Sequence, residues 1–475
     1  MFKYLRVILV FAAVFTVSCQ VVKQDNTLNK KQAGTEQTEQ DSSSDTKKVT
    51  EFKLDNGLKI VVKIDNRAPI VTSQVWYNVG SSYEPAGLTG ISHMLEHMMF
   101  KGTEKFPSGT ARKIIAENGG SENAFTNRDN TVYYQVIEKS RLPICFELEA
   151  DRMVNLILDD AEFQKERQVV LEERRMRTDD NPNAKLYERF NAVAYLSNGY
   201  AQPVIGWQHD IEGYTIGDLK QWYQDWYTPQ NATLIVVGDV DPKQVYKLAQ
   251  KHFGPIKGKP VKQVKKSKEI LPLGRKDVIV KARAQLPIMI AGYSVPSFLT
   301  TEEEWEPYAL TVLAGVMDAG AGSRLTSRLV RGKELAAWAG VGYSSLSRLD
   351  SQFSIWSSPA HGVDIEELKK AINAEIEDLK SKLVTDDELA RVKAQVMASA
   401  IYELDSVSAQ AREIGQLEAL GLGWEFVDEY YAKFQQVTAE QVQAVAQKYL
   451  VEDRLTFAQL VPDMGGTKPV AGGKE

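Results

Sequence analysis

The sequence predicts an α+β protein built as two related halves, and three observations carry that expectation. First, 475 residues, 43% hydrophobic and 25% charged, are too many for one compact core, so two or more domains are expected. Second, period-two apolar alternation gives way to helical spacing and returns, several times along the chain. Third, the end of the first half recurs in the second. A shift of 223 residues carries Thr215 onto Thr438, Leu219 onto Val442, Trp226 onto Tyr449 and Thr233 onto Thr456 without a gap. A shift of 226 carries Glu162 onto Glu388, Phe163 onto Leu389 and Lys165 onto Arg391. A duplicated unit accounts for both registers.

The amino terminus stands apart from this pattern. Lys3 and Arg6 precede an apolar run from Val7 to Val17, too short for a permanent bilayer span, so residues 1–18 read as a signal peptide. Thr16-Val17-Ser18-Cys19 resembles a bacterial lipoprotein cleavage site, although Thr16 stands where an aliphatic residue is usual. Cys19 would then carry a lipid; a plain secretory signal with Cys19 unmodified is the alternative. Residues 19–48, rich in Gln, Ser, Thr, Lys and Asp, read as a flexible tether. Gln20 rather than Asp after Cys19 favours the outer membrane, so the expectation is an exported, periplasmic protein held to a membrane through its lipid alone. Cys145, in Pro143-Ile144-Cys145-Phe146, reads as packed rather than reactive, and disulfides are not available to staple the fold.

From Glu51 the elements follow in order. Phe52, Leu54, Leu58, Ile60 and Val62 alternate around Asp55-Asn56-Gly57, a hairpin signal. A strand over 70–79 ends at Gly80-Ser81-Ser82, and helical spacing starts near Thr89, the expected N-cap, and runs to Phe100. Helices are expected over 108–118, 141–158, 160–178 and 215–226, with strands over 131–137 and 232–237. The domains so outlined are an amino-terminal unit over 49–256, a linker over 257–274, a homologous unit over 275–465 and a tail over 466–475. The linker holds the one basic run, Lys257 to Lys268, broken by Gly, Pro, Gln, Val and Ser as a solvated segment is. The formal net charge is −6, or −8 once Lys3 and Arg6 leave with residues 1–18. Nucleic-acid binders carry a basic stripe, and no nucleic acid partner is expected.

His93-Met94-Leu95-Glu96-His97 carries the chemistry. Residues four apart on a helix share a face one turn apart, so two imidazoles reach one ion. Glu96 stands close enough to a water on that ion to act on it without being a ligand. With five histidines in the chain, a chance match to this pattern is on the order of a few in a thousand. His209, His252 and His361 have no such neighbours and read as structural. A zinc site needs a third protein ligand and an open position. Glu166 and Glu173 are two turns apart on one face, with Val169 and Val170 between them, which implies a buried face where carboxylates need a metal or an arginine. Glu172 points away into solvent.

The pentapeptide is the inverted zinc motif, and the chain from Phe52 to Pro462 resembles the pitrilysin family, which includes insulin-degrading enzyme and mitochondrial processing peptidase. The resemblance rests on Leu54-Asp55-Asn56-Gly57-Leu58, Val79-Gly80-Ser81-Ser82-Tyr83-Glu84, Gly90 through Thr103, Asn123-Ala124-Phe125-Thr126, and Pro229-Gln230-Asn231-Ala232 through Val237-Gly238-Asp239-Val240. It implies two homologous α/β-sandwich halves enclosing a chamber. It also implies one Zn2+ per chain on His93, His97 and Glu173, with Glu166 as the supporting carboxylate. Glu96 would pass a proton from the attacking water to the leaving amine of a cleaved peptide. Asn123, Ala124, Phe125 and Thr126 would form an edge strand pairing with an extended peptide, the Ala124 amide helping to hold it.

Family members also use an Arg and, seven residues later, a Tyr from the second half. Arg331 fits the first position, but Trp338 stands at the second, and indole reaches differently from phenol. The resemblance therefore implies a partner, a second copy or a related subunit that supplies the Arg/Tyr pair. No second metal site is expected, since Ser399 takes the place of Glu173 and Thr311 to Gly315 that of the pentapeptide. A non-catalytic scaffold is the competing reading; the intact His93, Glu96, His97 and Glu173 argue against it. A serine hydrolase lacks its Gly-x-Ser-x-Gly signature here.

Overall fold

A computed structural model describes residues 49–463. The expected signal peptide 1–18, Cys19 with its lipid, the tether to residue 48 and the tail 466–475 lie outside the described residues. The amino-terminal sheet comprises β1 (Val49–Lys53), β2 (Lys59–Ile64), β3 (Ile70–Tyr77), β4 (Ser121–Thr126), β5 (Thr131–Glu138) and β6 (Ala232–Gly238), in the order β1-β2-β6-β3-β5-β4. Its helices are α1 (Ile91–Met98), α2 (Thr110–Glu117), α3 (Leu142–Asn155), α4 (Asp160–Arg174), α5 (Pro182–Ala194), α6 (Gln208–Gly213), α7 (Ile216–Trp226) and α8 (Pro242–His252). The second sheet has β7 (Lys276–Ala282), β8 (Ile288–Val295), β9 (Ala336–Gly342), β10 (Ser351–Pro359) and β11 (Leu455–Pro462), in the order β7-β11-β8-β10-β9. With it come α9 (Glu306–Asp318), α10 (Ile365–Ser381), α11 (Asp386–Glu403), α12 (Val407–Leu420), α13 (Phe426–Gln435) and α14 (Ala439–Tyr449). No described helix is long and apolar enough to cross a membrane.

The two halves are one design used twice. Strands β2-β6-β3-β5-β4 match β7-β11-β8-β10-β9 in order, and the pairs β2–β6 and β7–β11 are both parallel while the other pairs are antiparallel. The duplicated register reaches the helix caps. Thr215 and Thr438 each start a helix with a reciprocal capping box, the side chain of one end satisfying the backbone of the other. Asp159 and Thr385, 226 apart, cap α4 and α11.

Each sheet buries one face against its own helices and the other against a helix from the opposite half. Val71, Val75 and Tyr77 of β3 pack with Met94 and Leu95 of α1, Phe146 of α3 and Leu219 of α7. The reverse face of that sheet, with Val61, Trp76, Val132 and Ile235, is covered by Ala411 and Ile414 of α12. Conversely, Leu186, Phe190 and Ala194 of α5 lie on Ile288, Ile290, Ala458 and Leu460 of the second sheet. Covered on both sides, the central strands β6 and β8 are buried at every residue, and their sequences are largely apolar rather than alternating for that reason.

A glycine admits each cross-packed aromatic ring. A Cβ on Gly415 of α12 would lie 2.1 Å from Trp76, and one on Gly292 of β8 would lie 2.2 Å from Phe190. Trp76 is buried and held by a hydrogen bond from its indole nitrogen to Gln74, so it has little room to yield. Gly415→Ala is therefore expected to destabilise the folded chain by about 1–3 kcal/mol through overpacking. A urea-unfolding midpoint unchanged from wild type would show that the ring has space to move.

Candidate metal centre

Helix α1 starts from a backbone crossing, not from the threonine cap expected at Thr89. Gly90 occupies the N-cap with φ 86°, and its missing side chain lets Ile205 O come within 2.3 Å of where a Cβ would stand. The Glu84 carboxylate, six residues earlier, takes the orphan donors instead, accepting from Gly90 N at 2.7 Å and Ser92 N at 2.8 Å. Thr89 turns elsewhere: its hydroxyl donates to Asp210 at 2.6 Å and accepts from Trp207 N. With Ile91, Met94, Leu95 and Met98 in the core, the helix presents His93 and His97 to α4.

Helix α4 answers with Glu166, Val170 and Glu173. Val170 is buried, but Val169, expected on the same face, is 50% exposed; the seven-residue spacing runs through i+4, and i+3 falls outside the contact. Glu172 is solvated and paired with Arg175, as its quarter-turn offset implies. The Glu173 Oε2 atom lies 3.3 Å from His97 Nε2 and 3.8 Å from His93 Nε2. All three ligand atoms lie within 4.8 Å of one another. Ligands about 2.0–2.1 Å from a tetrahedral zinc stand roughly 3.3–3.4 Å apart, so two nitrogens and a carboxylate oxygen at these separations suit that ion. His97 Nδ1 meets Glu166 Oε1 at 2.8 Å, and the other Glu166 oxygen is held by Lys101. This is the orienting bond that metal-binding imidazoles commonly make.

One member of the cluster has no counterpart in the sequence reading. After Arg174 the chain widens into a π-helical turn, Arg175–Asp179, and Arg177 reaches back to Glu173 Oε1 at 2.6 Å. One carboxylate oxygen thus faces the imidazoles and the other is fixed by a guanidinium. The i+4 spacing of a basic residue after the third ligand was the available signal. Cys145, for its part, is buried and free, and burial pushes its thiol up to about 12.

The electrostatics divide the two histidines. Burial first, then the neighbouring His97, lowers the pKa of His93 to about 4. Burial also opposes a charge on His97, but hydrogen bonding to Glu166 and Glu173 overrides it and raises the pKa to about 9. Glu173 is pushed up by burial, yet the bond to His97 and the charges of His93 and Arg177 bring it down to about 2. Burial raises the pKa of Glu96, against its bond from Thr126.

Thr126, the last residue of β4, donates to Glu96 Oε2 at 2.6 Å, so the edge strand and the acidic residue of the pentapeptide are tied directly. Phe125 lies on the opposite face of the strand, edge-on to Trp76. The Ala124 amide is engaged by its neighbour, donating to Asn123 Oδ1 at 2.9 Å, which a pairing peptide has to displace. Glu96, His97, Asn123 and Glu166 also line a cavity of about 410 Å³ whose walls all come from residues 96–166. Arg331 is not among them; it donates to Ala321 O within its own half. Trp338 is exposed on β9, the edge of the second sheet.

The second half repeats the scaffold without the ligands. Glu166 plus 226 is Val392, and a Cβ on Gly315 of α9 would lie 2.6 Å from the Val392 side chain. Where α1 and α4 meet through His97 and Glu166, α9 and α11 close directly on each other.

Two outcomes follow from this geometry. In the metal-free protein His97 keeps its proton to about pH 9, and zinc must displace it. Zinc affinity is thus expected to rise as pH increases from 6 to 9, with proton release visible by calorimetry in buffers of different ionisation enthalpy; a pH-independent affinity would contradict it. Arg177→Gln frees Glu173 to turn and is expected to weaken zinc binding about 10- to 100-fold, read by chelator competition, while melting of the metal-free chain stays as in wild type.

Comparison with known proteins agrees with the geometry. Residues 59–207 match the family described as Insulinase (Peptidase family M16), and residues 213–396 match the Peptidase M16 inactive domain. A Helicobacter pylori protein named zinc protease PqqE is 34% identical over 419 residues, covering 86% of this chain and 92% of that one. The beta subunit of the mitochondrial-processing peptidase of Lentinula edodes is 26% identical, covering 85% and 88%. The crystal structure of a protease from Helicobacter pylori superposes with a TM-score of 0.82 at 33% identity, over 87% of this chain and all of that one. With matches running through both halves, the chain belongs to peptidase family M16, the insulinase family of zinc proteases.

Proposed function

We propose that the protein is a zinc-dependent endopeptidase, with one Zn2+ per chain, that hydrolyses peptide bonds in peptides or unfolded segments. The observation that carries this reading is the pair of contacts made by neighbouring residues of α1. His97 meets Glu173 at 3.3 Å, and Glu96 is bonded by Thr126 at the end of an open edge strand. A zinc ion held by His93, His97 and Glu173 would polarise the scissile carbonyl and acidify a water. Glu96 then takes the proton from that water and delivers it to the departing amine. Burial raises the basicity of Glu96, and the Thr126 hydroxyl fixes one of its oxygens so that the other is free for the transfer. Backbone pairing along β4 would align an extended chain beside that oxygen, reading extension more than sequence.

The active unit is proposed to be a dimer, of two copies or with a related subunit that brings an Arg/Tyr pair to face the metal. The lining of the cavity by residues 96–166 alone, and the engagement of Arg331 with Ala321 O rather than with that cavity, support this. Export through residues 1–18 and lipid attachment at Cys19, with anchorage to the outer membrane from the periplasmic side, are proposed from the sequence alone. Glu96→Gln is expected to retain zinc while losing about a hundredfold to ten-thousandfold in cleavage of a quenched peptide. Turnover equal to wild type in that variant would refute the role of Glu96, and a metal-loaded wild type inert with and without its partner would favour a scaffold.

A further inference from the structure

The cavity beside the metal ligands contains a carboxylate that the proposed chemistry leaves unused. Glu122, Ala124 and Thr126 alternate onto one face of β4, and Thr126 at the end of that row bonds Glu96. The Glu122 side chain is only 3% exposed, and its Oε1 atom is buried without a hydrogen-bond partner. Burial pushes its carboxyl up, the strain expected of an acid without a donor.

Two cations lining the cavity, Arg152 and Lys101, are already held by acids of their own. Arg152 is held by Glu149 through two nitrogens and lies over the Phe100 and Tyr133 rings. Lys101 is held by Glu166. Of the described cations only Arg112 comes within 4 Å of a Glu122 oxygen, with Nε at 3.8 Å, beyond hydrogen-bond reach, on a side chain 69% exposed. Arg152 also acts on Glu122 through its charge, but from further off and while bonded to Glu149. The Arg112 guanidinium lies 5.6 Å from the centre of the Phe100 ring. A mobile surface arginine thus already shows what the cavity accepts: a flat cation over Phe100 with Glu122 as counter-charge. When Arg112 swings out to solvent, Glu122 has no cation within 4 Å, and the one Arg152 guanidinium is left to serve two carboxylates, Glu149 and Glu122.

We propose that this cavity is the subsite for a lysine or arginine side chain flanking the scissile bond, with Glu122 its counter-ion, Phe100 the platform for its stem, and Arg112 its stand-in until substrate arrives. The proposal rests on the endopeptidase reading and adds to it a selectivity that backbone pairing with β4 cannot give. Glu96 and His97 are themselves part of the lining, so the selected residue sits next to the bond being cut. An acidic residue there would face both Glu122 and Glu96 and is rejected by charge.

The test offers the zinc-loaded chain, with its partner where one co-purifies, a peptide library varied among Lys, Arg, Gln, Leu and Asp on both sides of one cleavable bond. In parallel, fluorescence anisotropy measures the same peptides binding to Glu96→Gln. A basic residue on one flank is expected to raise kcat/KM over Leu or Gln by about 10- to 100-fold, the worth of a bond to a buried charge. Glu122→Gln should bring that ratio close to unity with zinc content and melting as in wild type, and Arg112→Ala should tighten binding of basic peptides. Equal or better cleavage of Leu peptides by wild type, or a basic preference that survives Glu122→Gln, overturns the subsite. Unchanged affinity in Arg112→Ala overturns the stand-in. If no peptide is cleaved, the endopeptidase reading fails, and basic selectivity in the anisotropy measurement still decides the subsite.

Discussion

Helices α1 and α4 meet over two imidazoles and two carboxylates, with no apolar layer between the polar groups, and much of the amino-terminal half serves to make that contact tolerable. An isolated buried carboxylate or imidazolium would be costly. Here the charges form a chain, in which Lys101 holds Glu166, Glu166 orients His97, His97 and His93 face Glu173, and Arg177 closes the far end. A divalent cation held there by His93, His97 and Glu173 would take the place of the proton on His97. The separation of the helices is set from outside: Glu84 clamps the start of α1, while Arg174 bonds Glu188 of α5 at 2.8 Å and so fixes the end of α4. Because α5 lies on the second sheet, the geometry of the metal ligands depends on packing across both halves.

The second half shows what the same scaffold does when no ion is to be held. At the position related to Glu166 stands Val392, against a glycine of α9, and the contact is apolar and close. The caps, sheet order and strand directions are retained, so the loss concerns only the residues between two helices. The candidate metal ligands are thus a local property of one helix contact, laid on a scaffold that the second half repeats without them.

The sequence made legible whatever depends on local spacing. The pentapeptide, the hairpin at Asp55-Asn56-Gly57, the helix over 215–226, the strand over 232–237 and the repeat that carries Thr215 onto Thr438 all follow from local spacing and order. The choice of Glu173 over Glu166 needed the family resemblance, because both acids lie on one face of α4 and spacing does not rank them. Thr89 was misread because its hydroxyl is claimed by Asp210, 121 positions away, and a propensity for capping cannot anticipate a tertiary competitor. Val169 was misplaced by one helical step. Arg177 is legible only as a basic residue four positions after Glu173; the π-helical turn in which it lies, a local widening of the helix, is announced by no apolar period. Glu122 reads in sequence as one more polar residue of an edge strand; only burial makes it unusual.

Ladder hydrogen bonds lie in the plane of a sheet, so the open positions of the first sheet are at its edge strands, β1 and β4. At β4 that opening coincides with Thr126 and therefore with Glu96, and on the proposed reading this would join binding to chemistry: a strand added there would be placed by its backbone relative to the base, whatever its side chains. Such pairing supplies affinity with little discrimination, which suits unfolded segments of many sequences. Discrimination has to come from side-chain pockets beside the strand, and the cavity on the Glu122 face is the place where the fold provides one. The division is physical. On the proposed reading, main-chain bonds would set the register, the metal ligands and Glu96 would act on whichever bond that register presents, and a single buried charge next to them would decide which registers are worth holding.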